Sequence, residues 1–125
     1  MTIDELREPT LLLLTALTRG PRHGYALIEA VRELSEGRVT LKPGSLYGTL
    51  DRLAREGLVV ETGTEVVAGR HRRYYELSDA GAGVLSAQVA RLQSITNSAA
   101  AGLRRRGERA RSAGTGELEL AGGAA

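Results

Sequence analysis

The hydrophobic period of this chain switches at Gly57 and again at Ser78, and those switches limit the fold more than any other feature. Ahead of Gly57, apolar residues recur at the spacing of a helix face. Residues 10–19 read as a helix opened by Pro9 and stopped by Gly20-Pro21, with Leu11, Leu12, Leu13, Leu14 and Leu17 around nearly its whole circumference. A helix apolar all round needs packing partners on more than one side. A second helix runs from about Gly24 to Ser35, carrying Leu27, Ile28, Val31 and Leu34 in phase, with Gly37 beyond its end. A third starts at Pro43, suited to the first helical position, and ends at Gly57, with Leu46, Leu50 and Leu53 pointing inward.

After Gly57 the pattern becomes that of a strand. Leu58-Val59-Val60-Glu61-Thr62 is short and β-branched, and Arg73-Tyr74-Tyr75-Glu76-Leu77 is its expected antiparallel mate. The segment between them holds Gly63, Gly69 and the run Arg70-His71-Arg72-Arg73, so a hairpin with a basic tip is expected. Ser78 then offers an N-cap with Asp79 in the first turn, and a long helix follows to about Arg106. Its seam runs through Leu85, Val89, Leu92, Thr96, Ala99 and Leu103. The expected domains are residues 1–78, residues 79–109 for the C-terminal helix, and a tail, 110–125, whose Gly, Ala, Ser and Glu composition reads as disordered.

Composition narrows the chemistry. Cysteine is absent, which removes disulfides, thiolate metal sites and cysteine nucleophiles. His23 and His71 are the only histidines and have no ligand spacing, so no metal is expected. No phosphate-binding glycine loop is present, and Ser45 lacks the strand-to-helix setting of a nucleophile elbow; no catalytic residue and no cofactor are assigned. The longest apolar run stops at Arg19, too short to span a membrane, and Asp4, Glu5 and Glu8 precede it where a secretory leader would be basic. A cytoplasmic protein is expected. Residues 1–36 sum to −2 while residues 37–78 and 79–125 each sum to +2, a placement that suits a binder of one defined polyanion. Lys42 is the only lysine among 17 basic residues, and arginine's planar fork favours bidentate contact with phosphate or guanine.

Three helices followed by a hairpin give a mainly α fold, a winged helix-turn-helix with a two-stranded wing and a long C-terminal dimerisation helix. The residues carry a resemblance as well. Leu11 to Leu14 with Gly20-Pro21, His23-Gly24-Tyr25, Pro43-Gly44-Ser45-Leu46-Tyr47, Glu56-Gly57-Leu58, Gly69-Arg70 and Arg73-Tyr74-Tyr75 leading to Ala80-Gly81 together resemble the PadR family of transcriptional regulators over residues 9–81. The single C-terminal helix is similar to that of the small subtype. The resemblance implies a homodimer that binds double-stranded operator DNA. Two positions depart from the family pattern. Lys42 stands where a capping Ser or Asp is usual, at a cost of about 1 kcal/mol, and its ammonium is placed to meet a phosphate. Gly48 replaces a bulkier residue.

With Leu46, Leu50 and Leu53 inward, the outward face of the third helix centres on Gly44, Gly48, Asp51 and Arg55, flanked by Ser45, Tyr47 and Arg52. The two glycines remove Cβ atoms where the helix comes nearest the base edges. Arg52 is expected to pair with guanine and Asp51 to accept from cytosine or to pair with Arg55 four residues on. Tyr47 and Ser45 are expected to donate to phosphate or base, and Arg70, Arg72 and Arg73 to grip phosphates or the minor groove. Tyr25 is either a phosphate donor or a core aromatic, and Tyr74 and Tyr75 point to opposite faces.

The seam residues Leu85, Val89, Leu92, Ala99 and Leu103, joined by Leu11 of the first helix, are assigned to a dimer interface. The segment from Asp79 to Ala125 holds no aromatic residue, so that helix cannot line a stacking pocket for planar aromatic effectors; an aliphatic slot formed by Leu85, Val89, Leu92 and leucines of the first helix, or a filled interface with no ligand, is left open, and the identity of any small-molecule effector is unknown. The expected function is that of a homodimeric repressor on a palindromic operator; the alternative is a winged helix that docks on a protein rather than on DNA.

Overall fold

The structure is a computed structural model; it describes the backbone of residues 6–124 and the side chains of residues 6–114. The chain divides into two compact units, Met1–Gln88 and Val89–Ala125. The first contains α1 (Glu8–Leu17), β1 (Arg22–His23), α2 (Gly24–Leu34), α3 (Pro43–Arg55), β2 (Val59–Val67), β3 (Arg70–Leu77) and the opening turns of α4 (Asp79–Ala124). The expected mainly α winged helix-turn-helix is what forms. Among the described residues no helix is long and apolar enough to cross a membrane.

The leucines that set the helical period make the core of this unit. Leu13, Leu14, Leu27, Val31, Leu46, Leu50 and Leu53 have no solvent exposure, and Leu17, Val59 and Tyr75 are nearly as deep. Leu11 and Leu12, on the other side of α1, are half-buried and pack against the same cluster. Gly57, at φ +77°, ends α3: its own N–H donates to the Ala54 carbonyl at 3.0 Å while the Leu58 N–H donates to the Leu53 carbonyl at 2.9 Å. Lys42 precedes α3 without a side-chain cap, as its chemistry requires.

The sheet corrects two expectations. It has three antiparallel strands in the order β1-β3-β2, not two. β1 places Arg22 opposite Tyr75 and His23 opposite Tyr74; a two-residue strand has no alternation for a sequence pattern to reveal. The hairpin is also longer than expected. Val67 faces Arg70 across a two-residue turn, in which Ala68 and Gly69 both take left-handed backbone, φ +52° and +78°. Arg70, His71, Arg72 and Arg73 therefore lie along β3 and not at a loop tip. A register shift between Glu61 and Gly63 bends β2 opposite Tyr74 and Tyr75.

Ser78 caps α4 as expected, its Oγ accepting from the Gly81 N–H at 3.0 Å and donating to the Gly57 carbonyl at 2.6 Å. A Cβ at Gly81 would collide with the Leu58 carbonyl oxygen, so this helix can approach the body only at a glycine. Leu85 and Gln88 are buried in the first unit, and the boundary expected after Ser78 falls inside it. At the other end the backbone stays helical to Ala124, beyond the stop expected near Arg106 and through the segment expected to be disordered.

Candidate nucleic-acid interface

α3 presents its polar side as the spacing demands. Lys42, Gly44, Ser45, Gly48, Asp51 and Arg55 are exposed or half-buried, while Leu46, Leu50 and Leu53 hold the opposite side in the core. A Cβ added at Gly44 or Gly48 would meet nothing within 4 Å, so the fold itself leaves both positions open. Among the described residues no ion pair joins Asp51 to Arg55, which leaves both groups facing solvent.

Arg52 is placed otherwise than expected. It is half-buried, and its Nη2 donates to Thr10 Oγ1 of α1 at 3.3 Å. The reason is angular: Arg52 sits on the flank of α3 that turns toward α1, and Thr10 there is a buried hydroxyl that gains a donor. As the fold stands, this bond ties α3 to α1.

Tyr47 is likewise held within the fold. Its hydroxyl occupies the space a Cβ at Gly24 would need, and its Cζ would lie 2.8 Å from that Cβ. The Arg73 guanidinium stands over the Tyr47 ring, 5.5 Å from its centroid. Gly24 is therefore the contact that lets α2 and α3 cross closely, and Arg73, itself exposed, stands over the ring of Tyr47 on α3.

A cleft opens beside this contact, lined by His23, Gly24, Tyr25, Tyr47, Arg70, His71 and Arg72. It combines the N-terminus of α2 with the stretch of β3 beyond its pairing with β1. Tyr25 is 68% exposed, which decides against a core role and leaves its hydroxyl open to solvent at the helix start. Arg70 and Arg72 bring positive charge to the same place, next to N–H groups at the positive end of a helix dipole. The charge there is complementary to an anion with several oxygens, such as a phosphate.

His23 and His71 lie outside the expected site residues. His23 caps α2, its Nδ1 accepting from the Ala26 N–H at 3.2 Å, and its ring meets Tyr74 edge-on at 5.5 Å. Burial, chiefly, and the nearby Arg72 hold its pKa below the usual imidazole value, with Glu65 opposing them. Tyr74 donates to Glu65 Oε2 at 2.6 Å, and that bond pushes the phenol's pKa up. The run His23-Gly24-Tyr25 is the available sequence signal, but spacing alone cannot show that a histidine before a helix turns back to cap it.

The comparison with known proteins agrees with this geometry. The Transcriptional regulator PadR-like family profile matches residues 13–87, more than half of the chain. The chain belongs to the PadR-like family. Its match to the transcriptional regulator YqjI of Escherichia coli is 42% identical over 52 residues, 42% of this chain and 25% of that protein. The chain thus spans about a quarter of that curated relative. A solved transcriptional regulator from Thermoplasma acidophilum is similar at 29% identity and a TM-score of 0.60, over 71% of this chain and 84% of that one. Bacillus subtilis PadR in complex with operator DNA matches at 24% identity and a TM-score of 0.54, over 61% of this chain and 44% of that one, which is a likeness of fold.

This PadR-like chain separates the residues assigned to a dimer seam. Leu85, 7% exposed, belongs to the core of the first unit and is withdrawn from the seam, because the opening turns of α4 pack on their own body. Val89 at 42%, Ile95 at 54% and Leu103 at 67% are exposed apolar residues on α4; Leu92 is half-buried and Ala99 exposed.

Proposed function

We propose that the chain is one protomer of a homodimeric cytoplasmic repressor that binds a palindromic operator. The observation that carries this reading is the continuity of the exposed polar face of α3 with the arginine-lined cleft at the start of α2. Gly44 and Gly48 allow close approach to base edges; Ser45, Asp51 and Arg55 are the groups free to read them. Arg70, Arg72, Tyr25 and Lys42 hold phosphates. Tyr47 lines the cleft beside them with the exposed Arg73 over its ring, and Arg52 ties the face to α1. The operator DNA held by Bacillus subtilis PadR supports the same class of partner. The α4 residues Val89, Leu92, Ile95 and Leu103 would be covered by a second copy, so that two winged helices meet two half-sites about one helical turn apart.

Selection of bound sequences from a random DNA pool tests this. Enrichment of a two-fold symmetric site is expected. A pool with no enrichment, together with salt-independent binding, would overturn it and leave a winged helix that docks on protein.

A further inference from the structure

The part of α4 beyond the apolar seam carries a feature the operator reading does not use. Between residues 104 and 111 stand five arginines, Arg104, Arg105, Arg106, Arg109 and Arg111, against one acid, Glu108. All six side chains are exposed, and none of the arginines has an ion pair or hydrogen bond among the described residues. At about 100° per residue, Arg104, Arg105, Arg109 and Arg111 centre on the side of the helix opposite Leu92, Ala99 and Leu103, while Arg106 falls on the apolar side and is not part of the band. If a second copy covers the apolar side, this basic band stays in solvent.

The segment carries an excess of four positive charges over eight residues. Arg105 and Arg109, and Arg106 and Arg109, are like charges at helical contact spacing, while Glu108 stands at that spacing from Arg104, Arg105 and Arg111, each pair being worth roughly a few tenths of a kcal/mol. An ordinary solvated helix face intersperses acids at these positions, and here Glu108 is alone. The groups are guanidiniums, whose planar forks match phosphate oxygens two at a time. A polyanion would both offset the excess charge and use those forks.

We propose that the Arg104–Arg111 band is a second nucleic-acid contact, which grips the phosphate backbone of duplex DNA without regard to sequence. This rests on the operator reading, because a chain that positions one surface on DNA has that polyanion at hand for the other. The band adds affinity and salt dependence, as the cleft does, and α3 alone supplies discrimination.

The test uses the full chain and a random-sequence duplex, with affinity measured across a salt series. Arg104→Gln, Arg105→Gln and Arg109→Gln together are expected to flatten the log-log salt slope by about 0.9 for each phosphate that the variant no longer neutralises. The corresponding Lys triple variant should retain the slope, since it retains the charge. Sedimentation checks that the variant keeps the assembly of the wild type; should it not, the single variants Arg105→Gln and Arg109→Gln replace it. An unchanged slope with assembly intact would overturn the proposal while leaving the operator reading standing, and would direct the band toward an acidic protein surface. Failure of the wild type to bind any duplex would overturn both.

Discussion

Tyr75 carries the least comfortable atom in the core. Its ring is 1% exposed, and its hydroxyl has no hydrogen-bond partner among the described residues, so burial pushes its pKa up. An unpaired buried hydroxyl costs about 1–3 kcal/mol, which the ring's packing has to offset. Tyr75→Phe is therefore expected to match or exceed the wild type by about 1 kcal/mol in urea unfolding; a clear loss would mean that a bound water satisfies the oxygen. His23 makes a prediction of opposite kind. It accepts the Ala26 N–H through Nδ1, which only the neutral ring can do, and its pKa lies below the ordinary 6.5. The unfolded chain takes up this proton first as pH falls. The cap's contribution is thus full above 6.5 and is lost as pH drops from there through the folded pKa. His23→Asn retains a capping acceptor without the titration. Its unfolding midpoint should fall less than the wild type's between about pH 8 and about pH 5.

At the scale of elements, α3 and the cleft should separate in their effects. Gly48 stands inside α3, and its missing Cβ would meet nothing in the fold. Gly48→Ala should therefore raise stability, by up to about 1 kcal/mol from helix propensity, yet weaken binding to a selected operator. A variant that is more stable and binds equally well would show that no close approach occurs at that position. Arg70→Ala and Arg72→Ala, by contrast, should weaken binding to operator and random duplex alike and reduce the salt slope by about 0.9 each, with specificity retained. Asp51→Ala should change preference at one base-pair position, by about 1–3 kcal/mol, and leave the slope nearly unaltered. Arg52, tied to Thr10, should affect stability more than base preference.

For the whole molecule, the burial of Leu85 and Gln88 decides where the chain can be cut. A stop after Ser78 would open the core. A stop after Gln88 should leave the first unit folded but monomeric, with operator affinity greatly reduced because one half-site is held at a time; a truncated chain that still sediments as a dimer would remove α4 from the interface. The sequence by itself determined the three helices, their inward leucines, the Ser78 cap and the change to a hairpin. Each of these depends on residues near one another in the chain, where periodicity and capping chemistry act directly. The outward side of α3 was legible for the same reason: once Leu46, Leu50 and Leu53 point in, geometry places Gly48 and Asp51 out. Only the tertiary structure decided what distant segments do to one another. It drew Arg52 to Thr10, set Tyr47 over Gly24, placed Arg73 over the Tyr47 ring, paired β1 with β3 and buried Leu85. Long polar side chains settle on whichever partner the fold brings within reach, and no spacing along the chain encodes that partner.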